Sequence, residues 1–163
     1  MKCHAFTLSE NSIVNRLKTK VYVFDKYSNQ KLDNIDKWNG IWDTGATTTY
    51  ITAEVASKLG LIPTGTALTS TAGGDKECNT YCIDILLPNN VAIQNLTVFE
   101  VHLNDGDVLI GMDVIKYGDF VISNYSGKTK LSFRIPSQQE TDYVKEEEES
   151  QDNTWVNIFW KIE

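Results

Sequence analysis

The sequence predicts a mostly β fold, a barrel or a sandwich, with two short helices. Three observations lead there. Short runs of β-branched, aromatic and aliphatic residues recur along the chain, as in Val21-Tyr22-Val23-Phe24 and Lys130-Leu131-Ser132-Phe133. Turn signals separate them, among them Pro88-Asn89-Asn90 and Asn104-Asp105-Gly106-Asp107. Only two stretches carry helical punctuation, and no internal repeat is found. At 163 residues, 41% of them hydrophobic, the chain is most simply one domain with a sizeable core.

Ala5–Leu8 and Val21–Phe24 are the first two strands. Asp33 to Asn39 reads as a polar turn region, after which Gly40-Ile41-Trp42 returns to strand and delivers Asp43. Thr47–Ile51 favours β again. Thr52–Gly60 is a short helix. Thr52 suits the N-cap, Glu54 the positive end of the dipole, and Gly60 the left-handed position that ends a helix. Val55 and Leu59, four apart, face the core. Thr64–Cys78, rich in Thr, Ser and Ala around Gly73-Gly74-Asp75, reads as a hairpin with a glycine tip. Its return arm runs over Tyr81–Leu87 and stops at Pro88-Asn89-Asn90. Val91–Ile93, Leu96–Leu103 and Val108–Ile110 follow as strands. A second short helix spans Met112 to Tyr117 and is stopped by Gly118. Phe120–Ile122 and Lys130–Phe133 close the body, joined by a turn at Asn124–Gly127.

Composition shifts after Pro136, which divides a body, residues 1–136, from a tail, residues 137–163. The tail carries eight acids and two bases, so it holds nearly all of the net charge of −7 and the body is close to neutral. Nothing is basic enough for nucleic acid, and no nucleic-acid partner is expected. Glu146–Glu149 reads as a solvated, extended charge block. Trp155–Ile162 is strongly apolar and fits a strand or a helix equally by period, so it is expected to be covered. Packing as a C-terminal strand is the leading reading; adding a strand to a dimer or occupying a substrate groove are the others.

The opening Met1-Lys2-Cys3-His4-Ala5-Phe6-Thr7 has no apolar core of a signal peptide, and no apolar run is long enough to span a bilayer. Three scattered cysteines, Cys3, Cys78 and Cys82, fit a reducing compartment, and a cytoplasmic protein without membrane association is expected. No Cys or His cluster completes a metal site, and no cofactor is expected. Cys78 and Cys82 are read as ordinary packing or surface positions. His4 and His102 are lone. Asp105 and Asp107 flank Gly106 as turn residues without calcium-loop spacing. Asp113 is read as a helix-start carboxylate that favours the dipole.

Ile41-Trp42-Asp43-Thr44-Gly45-Ala46-Thr47 is the stretch that carries chemistry. A carboxylate rarely follows an apolar run unless something keeps it there, because an unpaired charge in apolar surroundings is costly. Thr44 offers a hydroxyl and Gly45 a close backbone approach, so Asp43 is the candidate working group. For an isolated Asp-Thr-Gly, a buried turn aspartate satisfied by local backbone is the competing reading.

In three ordered elements the sequence resembles the retropepsin-like aspartic proteases, especially bacterial and phage-type single-domain members. The elements are Trp42-Asp43-Thr44-Gly45-Ala46-Thr47, the glycine-tipped hairpin around Gly73-Gly74 where the family has its flap, and Leu109-Ile110-Gly111-Met112-Asp113-Val114-Ile115. Gly118-Asp119-Phe120 also looks like the prokaryotic branch. The resemblance covers roughly residues 20–136. It implies a retropepsin-like closed β-barrel with a flap hairpin, acting as a homodimer. It further implies a catalytic Asp43, supported by Thr44, Gly45 and Ala46, and a polypeptide substrate. Thr47, Thr71, Ala72, Gly73, Gly74, Asp75 and Ile110 would bind that substrate. Two departures stand out. Retroviral members commonly have Asp where this chain has Thr47 and Arg where it has Met112, charges that pair and brace the dimer.

One Asp-Thr-Gly in a chain too short for two lobes implies a second carboxylate from a second copy. Thr44 would bond across the axis between them. A serine at position 46 could donate a hydrogen bond toward the aspartates, and alanine cannot, so a weakly acidic pH optimum is expected. The leading function is therefore a homodimeric aspartic endopeptidase. The alternative is a non-catalytic module on the same fold that binds peptides or proteins, or assembles.

Overall fold

Six strands close on themselves around an aliphatic core. A computed structural model of the chain describes residues 3–26, 36–71 and 74–149. The six are β2 (Lys18–Asp25), β3 (Lys37–Trp42), β8 (Val108–Ile110), β4 (Tyr50–Ile51), β7 (Val91–Glu100) and β6 (Gly74–Leu87), hydrogen-bonded in that order. Pairing of β2 with β6, from Tyr22 opposite Leu86 to Asp25 opposite Ile83, completes the ring. The expected choice between barrel and sandwich is thus resolved as a barrel, the arrangement that leaves no edge in the ring. Alternation fills it: Tyr81, Ile83, Ile85 and Leu87 point inward along β6, and Val21 and Val23 along β2. Fully burying such a side chain contributes roughly 1.5–3 kcal/mol, so the ring is the main source of stability.

A second sheet of three strands, β1 (His4–Ser9), β10 (Lys130–Ile135) and β9 (Asp119–Ser123), lies in that order. Cross-strand rows Phe6–Phe133–Phe120 and Leu8–Leu131–Ile122 share one face. Phe6, Phe120 and Phe133 surround Trp42 of β3 with ring centroids 5.2–6.2 Å apart, which joins this sheet to the barrel. Among the described residues β5 (Gly65–Thr71) pairs only with β6, from Gly65 opposite Thr80 to Thr71 opposite Gly74, and forms the expected hairpin. Ala72 and Gly73 at its tip lie outside the described residues.

The helix α1 (Ala53–Leu59) is closed as expected. Thr52 Oγ1 accepts from the Val55 amide at 3.4 Å, and Gly60 sits at φ +62°. The helix α2 (Met112–Ile115) is shorter than the expected Met112–Tyr117.

Four expectations need correcting. Asp33–Asn39 is not all turn: β3 begins at Lys37 because Trp38 buries its indole under the Lys58 ammonium, 5.3 Å from the ring. Thr47–Ile51 yields only the two residues of β4, since the preceding threonines belong to the turn after Asp43. The two strands expected over 91–103 are one, β7, which ends at Glu100. Its polar Gln94-Asn95 is a bulge, with Asn95 at φ 56° and its amide held by Asp84 Oδ1 at 2.8 Å. The acidic block is not extended: Tyr143–Glu149 is a third helix, α3, whose first amides are capped by Asp142. Trp155–Ile162 lies outside the described residues.

Candidate active site

Asp43 stands where two parallel strands end together. β3 and β8 run side by side with Trp42 opposite Ile110, and the Asp43 amide continues the ladder by donating to the Ile110 carbonyl at 3.0 Å. β8 also pairs with β4 on its other side. The turn 43–49 therefore carries the chain from one neighbour of β8 to the other, over the end of the strand between them. The Ala46 amide donates to the Asp43 carbonyl at 3.3 Å, and the Met112 amide to the Ala46 carbonyl at 2.8 Å. Both ends of the turn are thus pinned to β8 and to the start of α2.

The Asp43 carboxylate is half-buried. Its Oδ1 accepts from the Gly45 amide at 2.8 Å, and its Oδ2 has no partner among the described residues. A Cβ on Gly45 would lie 3.2 Å from Oδ1, so a side chain there would crowd the carboxylate. Thr44 and Thr47 are exposed, and Ala46 is half-buried beside them.

Beneath the turn lies a lock that sequence reasoning missed. Thr49 is fully buried. Its hydroxyl donates to Asp113 Oδ1 at 2.7 Å and accepts from the Gly111 amide at 3.1 Å, while its own amide donates to Asp113 Oδ2 at 2.9 Å. Asp113 is therefore more than a carboxylate at a helix start. It binds the far end of the turn after Asp43 to α2. The only signal in the sequence was a threonine run that propensity reads as strand. Gly111 has to be glycine for a local reason: a Cβ there would stand 2.3 Å from the Thr48 carbonyl oxygen.

Ile110 needs correcting as a substrate-binding position. Its side chain is fully buried in the barrel, 3.0 Å from where a Cβ on Gly40 would be, and only its carbonyl faces the turn. The strand's period of two puts Leu109 outward instead. Leu109 pairs with Tyr50, whose ring lies 5.9 Å from that of Phe99 and whose hydroxyl is 3.1 Å from Thr69 Oγ1 on β5. These side chains form a half-buried surface between β8 and the hairpin.

Thr71 ends β5, and Gly74 and Asp75 open β6 on the exposed end of the hairpin; Gly74 takes φ +102°. Among the described residues no hydrogen bond joins the hairpin to residues 43–47. A separate cavity of about 700 Å³ lies under the hairpin's base, lined among others by Glu54, Lys76, Cys78, Glu100 and His102, and residues 43–47 take no part in it. There Glu100 accepts from the Tyr81 hydroxyl at 2.5 Å, and burial, reinforced by that bond, pushes the Tyr81 phenol up to about 12. Asp105 and Asp107 do more than turn the chain. Asp105 receives Arg16 and Lys18, and Asp107 receives both the amide and the side chain of Asn39. The three cysteines are unpaired. Among the described residues no three His, Cys, Asp or Glu side chains gather as a metal site, and no helix is long and apolar enough to cross a membrane.

Residues 34–117 match the family model described as "gag-polyprotein putative aspartyl protease". Among solved structures, a retropepsin-like aspartic protease from Rickettsia conorii is similar at 18% identity, with a TM-score of 0.52 over 82% of this chain and 96% of that one. That likeness gives the fold: a retropepsin-like barrel. The EIAV protease, solved with the inhibitor HBY-793, is 19% identical with a TM-score of 0.47 over 63% of this chain and 86% of its own. Simian foamy virus (mac) protease is 18% identical with a TM-score of 0.42, over 62% and 93%. A comparison with curated proteins returns no match.

Proposed function

The chain belongs to the gag-polyprotein aspartyl protease family, and from that premise we propose that it is an aspartic endopeptidase that works on extended polypeptides as a homodimer. Its working group is Asp43, paired with Asp43 of a second copy across a two-fold axis. The state of the Asp43 carboxylate carries this reading: one oxygen is fixed by the Gly45 amide and the other is open.

A single carboxylate is a poor catalyst for amide hydrolysis, since water must lose a proton while the leaving nitrogen gains one. Two carboxylates about 3 Å apart cannot both ionise, so they share one proton, which is the established chemistry of aspartic proteases. The ionised member takes a proton from water, and the hydroxide attacks the peptide carbonyl carbon. The protonated member donates its proton to the carbonyl oxygen. Breakdown of the tetrahedral species returns a proton to the leaving nitrogen and regenerates the shared-proton pair.

In this reading Thr44 bonds across the axis and Gly45 holds the carboxylate. Ala46 and Thr47 flank it, and Thr71–Asp75 close over the peptide as a lid. The peptide lies extended, its backbone bonded to the hairpin and its alternate side chains on the Tyr50–Leu109 surface. Residues 1–136 are the protease domain, and residues 137–163 are an appendage to it.

The test compares wild type with Asp43→Asn on a diverse peptide library, with a statine-type inhibitor as control. Asparagine keeps the acceptor for the Gly45 amide but not the base, so cleavage should fall on the order of 10³-fold with the fold intact. Equal cleavage by both proteins overturns the assignment of Asp43. No cleavage by either replaces it with a non-catalytic, peptide-binding role for the same surface.

A further inference from the structure

Toward its tip, the hairpin leaves the barrel at Thr80. Residues 80–87 of β6 pair with β7, whereas 74–79 pair with β5 alone among the described residues, so β5 and the first part of β6 project from the ring as a ribbon. A ribbon of two strands is marginally stable in water by itself. This one is mostly exposed, with Gly65, Thr66, Leu68 and residues 74–77 all facing solvent. Thr69 breaks the pattern at 6% exposed. Its hydroxyl shares a hydrogen bond at 3.1 Å with the hydroxyl of Tyr50 on β4. We propose that this bond makes Tyr50 a positioning residue, a strap that fixes the ribbon to the barrel at Thr69 and sets the height of the hairpin over the Tyr50–Leu109 surface. This role rests on the reading of that surface as the path of the peptide, and it names the side chain that holds the path at a fixed width.

Three features distinguish a strap from an incidental contact. Tyr50 is itself firmly placed: β4 is paired on both sides, with Leu109 and Phe99 as its partners, and the Tyr50 ring packs 5.9 Å from that of Phe99. It directly follows Thr49, whose amide and hydroxyl are both bound by Asp113. The ribbon is therefore tied to the same short segment that ends the turn bearing Asp43. Alternation along β5 is the third feature. Leu68, 76% exposed, lies on the outer face, which turns Thr69 toward the barrel. The base of the ribbon has a tie of its own, Asn79 Nδ2 donating to Glu100 Oε2 at 3.3 Å. Residues 65–69 and 76–79 are thus held at both ends. A ribbon already in place when the peptide arrives has less freedom to lose on binding. One hydrogen bond between neutral groups shifts such an equilibrium about two- to tenfold.

The experiment uses the full chain as Tyr50→Phe, Thr69→Val, the two combined, and Thr69→Ser, and it reads amide exchange and peptide cleavage. Phenylalanine keeps the ring against Phe99 and valine keeps the shape of threonine, so each removes the bond with little change in packing. In either single variant, exchange of 65–69 and 76–79 should quicken about two- to tenfold, while 83–87 and 91–98 exchange as in wild type. KM should rise about as much and kcat should hold, because the strap acts before the chemical step. Thr69→Ser keeps the hydroxyl and should match wild type, and the double variant should be no worse than either single one. Four results overturn the strap. Ribbon exchange in Tyr50→Phe equals that of wild type; the barrel strands quicken along with the ribbon, which marks a loss of overall stability; kcat falls with KM unchanged; or the losses multiply in the double variant, which means the two side chains act separately. A wild type that cleaves no peptide overturns the reading as a protease, and the exchange comparison then decides the strap by itself.

Discussion

Replacing Thr49 by valine asks how firmly the turn that bears Asp43 is held from below. Valine is nearly the same shape, so packing in this fully buried position is kept and only the hydroxyl goes. Two hydrogen bonds are lost, one to the Asp113 carboxylate and one from the Gly111 amide. A bond to a charged group contributes about 1.5–3 kcal/mol, and Asp113 is half-buried, so the lower end applies. Leaving the buried Gly111 amide without an acceptor costs about 1–3 kcal/mol more. The sum is about 3 kcal/mol, a large share of the roughly 5–15 kcal/mol that a domain has. At a slope of roughly 2 kcal/mol per molar urea, the midpoint should fall by about 1.5 M. Thr49→Ser, which keeps both bonds and loses one methyl, should fall by much less. A Thr49→Val midpoint within about 0.3 M of wild type at that slope would refute the claim that this side chain locks the turn.

Phe133→Ala removes a fully buried ring that touches Phe6, Trp42 and Phe120, and should cost about 3–5 kcal/mol in urea unfolding; a loss under about 1 kcal/mol would mean that the sheet is not anchored through this ring. Ser137→Ala should move acid unfolding to higher pH. The Ser137 hydroxyl, then the Gln138 amide and Arg134, hold the Asp119 carboxyl well below the ordinary carboxylate range. A depressed folded-state value stabilises the fold above the ordinary carboxylate range, and that contribution is lost as pH falls below it. An acid transition that does not move counts against this tie. If Asp43 pairs with its counterpart as proposed, Ala46→Ser should shift the acid limb of the pH–rate profile to lower pH, because a hydroxyl at this position can donate toward the aspartates; an unchanged limb would place the residue 46 side chain out of reach of that pair.

The parts of the fold set by local chemistry were legible. Thr52 and Gly60 bounded α1 correctly because a cap and a left-handed residue act within one turn of helix. The hairpin and most turns were readable for the same reason. Trp38 was hidden among polar neighbours, and its burial depends on β2 and α1, which lie elsewhere in the sequence. The Gln94-Asn95 bulge broke an alternation that propensity reads as a strand end, when the chain had only inserted one residue. Asp43 and its turn were visible as a motif, but what holds them was not. Thr49 and Asp113 are 64 residues apart, and nothing in either one's neighbours announces the other. Ile110 was placed on the substrate by its nearness to a motif, whereas the two-residue period of β8 turns Ile110 into the barrel and Leu109 outward.

The two departures from the retroviral pattern, Thr47 and Met112, acquire a physical meaning here. A charge pair at those positions would tie the turn after Asp43 to the helix that follows Gly111. In this chain the turn is tied to that helix anyway, through Thr49 to Asp113 and through the Met112 amide to the Ala46 carbonyl. The bracing inside one protomer has moved by one or two positions along each segment and become an aspartate–hydroxyl contact instead of an ion pair. That leaves Thr47 exposed and Met112 36% exposed, uncharged and free for contacts outside the chain. An uncharged rim beside Asp43 raises no desolvation cost when a second copy approaches, whereas buried ion pairs often recover little more than they lose. In the proposed homodimer, association should therefore depend weakly on salt, and a steep loss between low and moderate ionic strength would show that charges still carry the interface.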